Sequence, residues 1–228
     1  MTVVCPSNWL ADRARQSALF GDKRVEVIPY GIDTNVFRPI EQGQARAALG
    51  LPPDARIILF GAWENSRRKG LQHLTEALAV LARRNAQPPP HVVSFGFPWQ
   101  ADSVAGMPVT SLGRLDDAST LARAYAAADV FVHPSIADNL PTSVIESLAC
   151  GTPCAAFRVG GLPDLIDHGR NGYLAQPFDP AALAEGIEWG LASGPEVRAR
   201  ARAKVEAQFD QALQARRYLD LFAGLLQG

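Results

Sequence analysis

The sequence is short of cysteine, has no excess charge of either sign and holds no long hydrophobic run. Each shortage removes a class of protein. The three cysteines, Cys5, Cys150 and Cys154, are an odd number, so they do not form a closed disulfide framework. The C-x-x-x-C spacing of the last two is not a usual zinc or redox spacing; all three read as buried thiols in a reducing cytoplasm. Basic and acidic residues number 22 and 23, a net charge of -1. That balance carries no electrostatic footprint for nucleic acid. No stretch approaches the roughly 20 apolar residues of a membrane span. The opening "MTVVCPSNWLADRAR" lacks the positive segment and apolar run of a secretory leader, so a cytoplasmic location is expected. There is no G-x-G-x-x-G, no Walker loop and no metal-ligand cluster. The histidines, His73, His91, His133 and His168, are scattered, and no nucleophile–base pair is visible. Neither a cofactor nor a metal is expected.

What is present is an alternation. Short apolar runs ("RIILF", "HVVSF", "PVTSL", "DVFVHPS", "PCAAFRV", "GYLA") are separated by longer amphipathic ones. "GLQHLTEALAVLARR" places Leu71, Leu74, Leu78 and Leu81 at helical spacing. "DDASTLARAYAAAD" reads as a helix with an acidic first turn, and Asp179-Pro180 as a cap followed by the first helical position. "PEVRARARAKVEAQF" and "QALQARRYLDLFAGLLQ" read as closing helices. Strands that are apolar throughout are buried on both faces. The expected fold is therefore α/β, a doubly wound parallel sheet of Rossmann-like kind. Ligands in such sheets bind in loops at the carboxyl ends of strands, here after Phe60, Phe95, Leu112, Val132 and Phe157. "VVCPSNWLADRARQSALFG" reads as the end of a strand and then a helix. "VEVIPYGIDTNVFRP" reads as an extended linker turning at Gly31, and "QPPPH" as a proline-rich loop.

Two loops at that edge stand out. In "ADNLPTSVIESLACGTP", Asp138 precedes a helix that starts near Leu140 or Thr142 and ends before Gly151, Glu146 lies about one turn inside it, and Pro141 suits a first helical position. Its free N–H groups and positive dipole end form a phosphate site, to which Thr142 and Ser143 add hydroxyls. Phosphates at the helix end and carboxylates on sugar hydroxyls would suit a nucleotide-sugar. A capping box, Ser143-x-x-Glu146, explains the same spacing with no ligand. In "FGAWENSRRKGLQHL", Arg67, Arg68 and Lys69 crowd a helix start, where cations oppose the dipole unless an anion shares the place. "LGRL" and the Gly160-Gly161 turn are weaker signals, since glycine turns are common.

"DNLPTSVIESLACGTPCAAFRVGGLPDLI" resembles the signature of the group 1 retaining glycosyltransferases. Those are GT-B enzymes, with two Rossmann-like domains facing a cleft. The resemblance implies that Asp138 and Glu146 take the places of the family's two glutamates, Asp138 touching donor-sugar hydroxyls and Glu146 the ribose. It implies that Asn139, Leu140, Thr142 and Ser143 lie along the sugar and diphosphate. Lys69 matches the lysine of the K-G element and would bind the diphosphate; it and Asp138 are the expected catalytic residues. Gly61 and Gly113 are counted in the expected donor-binding set, and so is Arg68, since Arg67 or Arg68 would supply a charge that no motif of the family assigns. The family's arginine after the glycine of "FG" is replaced here by Ala62.

The "DNLP" form resembles a branch involved in surface-polysaccharide assembly. A nucleotide-sugar is then the expected small partner and a glycan or lipid-linked glycan the acceptor, bound by a first domain of which only the tail is present. Peripheral membrane association of the full-length parent is a further expectation. Residues 1–40 are read as that tail with the interdomain linker, 41–208 as the donor-binding domain and 209–228 as a helix packing toward the first domain. A GT-B-type nucleotide-sugar epimerase and a non-catalytic nucleotide-sugar-binding module are the alternatives.

Overall fold

The computed structural model describes residues 1–62, 66–84, 88–96, 99 and 101–227. Residues 63–65 of "FGAWENSRRKG" and Gln87 of "QPPPH" lie outside the described residues. The chain runs β1 (Thr2–Cys5), α1 (Asn8–Arg15), β2 (Arg24–Val27), α2 (Gln42–Ala48), β3 (Ile57–Ala62), a 3-10 turn (Arg67–Lys69) and α3 (Leu71–Arg83). It continues through β4 (His91–Gly96), β5 (Ser103–Val104), β6 (Met107–Ser111), α4 (Ala118–Ala127), β7 (Val130–His133), α5 (Thr142–Ala149) and β8 (Cys154–Phe157). It closes with α6 (Leu162–Leu165), β9 (Gly172–Ala175), α7 (Pro180–Leu191), α8 (Pro195–Gln208) and α9 (Gln211–Leu226).

The main sheet has the order β5-β6-β4-β3-β7-β8-β9. Every pairing is parallel except β5 with β6, an antiparallel edge. The chain moves outward from β3 to β4 and β6, returns beside β3 as β7, and goes on to β8 and β9. The doubly wound expectation is met, and the order reverses between β3 and β7, where such sheets open a crevice.

The reason for the uniformly apolar strands is visible in the two cores. Ile57 and Leu59 of β3 join one core with Phe131, Cys154, Ala156 and residues of α4, α5 and α8. Ile58 and Phe60 join the other with Val130, Val132, Phe157 and residues of α3 and α7. Successive strand side chains point to opposite faces, so a sheet covered twice needs apolar residues at every position. The three cysteines are free and buried.

Local signals hold in part. Asp179 caps α7, accepting from the Ala181 and Ala182 amides at 2.8 and 3.2 Å, with Pro180 at the first helical position. The acidic pair before α4 does not form its first turn; Asp117 is the cap, accepting from the Thr120 amide at 2.8 Å. The stretch read as an extended linker begins as a strand, since Arg24–Val27 pairs in parallel with Thr2–Cys5. Beyond it, the Ile32 amide donates to the Phe209 carbonyl and the Gln211 amide to the Ile32 carbonyl, each at 2.9 Å. This fastens the segment to the start of α9. On α9, Leu219, Phe222 and Leu226 are exposed.

The loops after β3 and β7 are locked together. The Ile136 amide donates to the Arg68 carbonyl at 3.0 Å. Gly70 has φ 71°, and a Cβ there would stand 1.9 Å from the Pro134 carbonyl oxygen. Only glycine meets both demands. Gly70→Ala is expected to destabilise the fold by about 2 kcal/mol or more, from left-handed strain and the clash together. Urea denaturation measures this; an unchanged midpoint would mean the loops part without cost.

Candidate functional site

At the switch point lies a cavity of about 350 Å³ lined by Gly61, Ala62, Lys69, Phe95, Leu121, Tyr125, Asp138, Leu140, Pro141, Thr142, Ser143 and Glu146. β3 supplies Gly61 and Ala62, and the Phe95 ring fills the place where a Cβ on Gly61 would go, 2.1 Å from Cζ. The 3-10 turn supplies Lys69, α4 supplies Tyr125, and the loop after β7 with α5 supplies the rest.

Helix α5 begins at Thr142, with Pro141 as the residue before it and no side-chain cap. Pro141 thus precedes the helix rather than opening it. The Val144 and Ile145 amides already turn back to the Pro141 carbonyl, at 3.1 and 3.4 Å. The Thr142 and Ser143 amides are therefore the ones aimed outward, beside the cavity. The capping-box alternative does not hold, because Ser143 lies inside α5 rather than at its cap position, and Glu146 accepts from the Tyr125 hydroxyl at 2.9 Å.

The two carboxylates live in opposite environments. Asp138 Oδ2 lies 3.3 Å from Lys69 Nζ, 3.3 Å from His133 Nε2 and 3.4 Å from Arg68 Nη1. Burial pushes this carboxyl up, but the adjoining His133 and the Lys69 ammonium outweigh it and hold the group at about 2. His133 itself is driven down by burial, so it is neutral near pH 7. Glu146 is pushed up by burial, only partly offset by the Tyr125 and Thr142 hydroxyls. Tyr125 is fully buried and meets Phe95 and Phe131 edge-on, with ring centroids 5.7 and 5.3 Å away.

Asp138, Lys69, Glu146, Leu140, Thr142, Ser143 and Gly61 come together around one cavity, while Asn139, Arg68 and Gly113 do not line it. Asn139 Oδ1 accepts from Ser7 Oγ at 2.6 Å, with its side chain turned to the N-terminal segment. Arg68 Nη1 lies 3.4 Å from the Ala137 carbonyl and from Asp138 Oδ2. The Gly113 carbonyl accepts from the Gly96 amide at 2.8 Å. Arg67 lines a neighbouring cavity with Ser66, His73 and Phe178. Tyr125 and Ser7 were not singled out from sequence. The one signal for Tyr125 is a lone phenol in an alanine-rich helix, a bulky ring whose hydroxyl must find a partner when buried. Among the described residues no group of three or more His, Cys, Asp or Glu could hold a metal ion, and no helix is long and apolar enough to cross a membrane.

A family model described as "Glycosyl transferases group 1" matches residues 54–193, most of the main domain and the whole cavity. The chain belongs to this glycosyltransferase family. It is 34% identical over 180 residues to the D-inositol 3-phosphate glycosyltransferase of Thermobispora bispora, covering 72% of this chain and 42% of that protein. It is 32% identical over 235 residues to D-inositol 3-phosphate glycosyltransferase 2 of Catenulispora acidiphila, covering 88% and 54%. The chain thus spans about half the length of these family members. Sucrose-phosphate synthase from Thermosynechococcus elongatus superposes with a TM-score of 0.82 at 28% identity, covering 99% of this chain and 58% of that one. HepE of Anabaena, solved with UDP-glucose, superposes with a TM-score of 0.77 at 21% identity, covering 98% and 64%, a likeness of fold. Together these mark the chain as the C-terminal, Rossmann-like domain of a GT-B glycosyltransferase.

A buried carboxyl whose ionisation burial opposes weakens the folded state at neutral pH. The protonated form of Glu146 favours folding, a contribution present below its unfolded range and lost as pH rises through its raised folded value. Glu146→Gln is accordingly expected to stabilise the free protein at pH 7, within the range of about 0.5–2 kcal/mol common for removing a strained functional group. The advantage should shrink toward pH 4. Urea midpoints at the two pH values check this; a Gln variant weaker than wild type at pH 7 would contradict it.

Proposed function

We propose that this chain is the donor-binding half of a glycosyltransferase that moves a sugar from a nucleoside-diphosphate sugar to an acceptor hydroxyl with retention. The observation that carries this is the convergence of Lys69, the uncapped start of α5, Asp138 and Glu146 on one cavity at the sheet's switch point. A diphosphate needs positive charge and free amides, and both are there without a competing cap. Glu146, set by Tyr125, accepts from ribose hydroxyls. Asp138, held ionised, accepts from hydroxyls of the sugar.

When the bond from the sugar to the diphosphate oxygen breaks, its electron pair leaves with the diphosphate. Lys69 and the Thr142 and Ser143 amides stabilise that growing charge, each such contact supplying about 3 kcal/mol in a closed site. Their positive charge fills the role that a divalent cation plays in other transferases, so no metal is required in this reading. In the free protein Lys69 Nζ stands 3.3 Å from Asp138. Donor binding exchanges this ion pair for Lys69 on phosphate and Asp138 on sugar. The names of the relatives, with inositol phosphate and sucrose phosphate in them, favour a small phosphorylated polyol or sugar in the reaction over surface-polysaccharide assembly. HepE's UDP-glucose makes a uridine diphosphate sugar the first donor to try.

Isothermal calorimetry of the chain with UDP and GDP tests the reading. Lys69→Ala and Glu146→Ala are each expected to weaken binding of the preferred diphosphate about tenfold or more, since each removes a charge-assisted contact. EDTA should leave wild-type binding unchanged. Equal affinities across the three proteins would sink the assignment of the site.

A further inference from the structure

The segment that carries Asp138 is gripped from outside the main domain. Ser7 is fully buried and donates from Oγ to Asn139 Oδ1 at 2.6 Å, 132 positions along the chain. The same oxygen accepts from the Leu10 amide at 3.1 Å and so starts α1. One residue on, the Asn8 amide donates to Asp164 Oδ2 at 2.7 Å and its side chain to Oδ1 at 3.3 Å. The N-terminal unit of β1, α1 and β2 has a small core of its own around Cys5, Ala11 and Ala14. Its helix start therefore seats on the loop after β7 and on the first turn of α6 together.

Between those two contacts runs the Gly160-Gly161 turn. A Cβ on Gly160 would stand 1.8 Å from the Asp138 carbonyl oxygen, and one on Gly161 1.8 Å from that of Asn139 and 2.8 Å from Ser7 Cβ. The Gly161 amide also donates to the Asp138 carbonyl at 3.2 Å. The turn bars the Asp138–Asn139 backbone on one side. The Ser7 hydroxyl pins the Asn139 side chain on another, and Lys69 holds the Asp138 carboxylate on a third. Asp138 and Asn139 are consecutive, so rotation of one peptide re-aims the other. The Asn139 side chain, which the resemblance places along the donor, is thus turned to Ser7 of the N-terminal unit.

We propose that Ser7 is a positioning residue for the donor loop. Through Asn139 it fixes the backbone that aims Asp138, so the sugar-reading carboxylate is set only while the N-terminal unit is seated on the main domain. Which ligand the aim serves rests on the donor reading given above; the mechanical link does not.

The test uses Ser7→Gly, which drops the hydroxyl yet keeps a residue tolerated at a helix cap, and Ser7→Thr, which restores the hydroxyl. Amide hydrogen exchange reads the loop without any ligand. Ser7→Gly should speed exchange of the Gly161 amide and of residues 138–140 about tenfold, as expected for loss of one buried hydrogen bond. Residues 8–15 should change little, and Ser7→Thr should match wild type. In calorimetry, Ser7→Gly should lower affinity for UDP-glucose about three- to tenfold and affinity for UDP clearly less, because the sugar end is the one Asp138 reads directly. Exchange that speeds only within residues 8–15, or not at all, would show that Ser7 merely caps α1 and would overturn the proposal. So would equal losses for UDP and UDP-glucose. If wild type binds neither nucleotide, the donor reading fails, and the exchange comparison alone decides for or against the Ser7 link.

Discussion

The structure depends on loops approaching closer than side chains allow. The turns after β3, β7 and β8 meet over the carboxyl ends of three neighbouring strands. At each meeting a glycine stands where a Cβ would strike a carbonyl: Gly70 against Pro134, Gly160 against Asp138 and Gly161 against Asn139. These contacts bring Lys69 within 3.3 Å of Asp138 and hold the segment leading into α5 in an extended form, with no side chain left to cap the helix. The cavity and its charges follow from that approach.

Within the cavity, environment separates two like groups. Asp138 is ionised because His133 and the Lys69 ammonium crowd one of its oxygens. Glu146 is pushed up by its partial burial, and only the Tyr125 and Thr142 hydroxyls offset that. Eight residues apart on one motif, they are suited to different work: one keeps a fixed charge at the mouth, and the other gains from a ligand that brings hydroxyl donors inward. A site that leaves a helix start uncapped, a carboxylate buried and a lysine paired with a group it must release is less stable than it could be. That is the usual condition of a place built to be completed by a ligand.

Much of this was legible beforehand. The alternation of apolar and amphipathic runs gave the doubly wound sheet, because a strand buried on both faces has no polar positions to spare. The carboxyl-end rule then directed attention to the loops holding Lys69 and Asp138. Less visible were the short pieces: α2, β5 and the 3-10 turn carry too few residues for a period to emerge. The strand at Arg24–Val27 was also hidden, because what makes it one is its pairing with β1. Gly160-Gly161, weak as a motif, is the brace of the donor loop, since its meaning lies in what it touches and not in its spacing.

The sequence by itself determined the layer order of the fold, the edge at which a ligand would sit and the residue types gathered there. Those depend on local period and on a chain-order rule. The tertiary structure alone decided which of these residues face the cavity. It turned Asn139 toward Ser7, gave Glu146 to Tyr125 instead of a helix cap and left Gly113 outside. The physical reason is that hydrogen bonds between residues 132 or 21 positions apart are set by packing, and no local pattern encodes them.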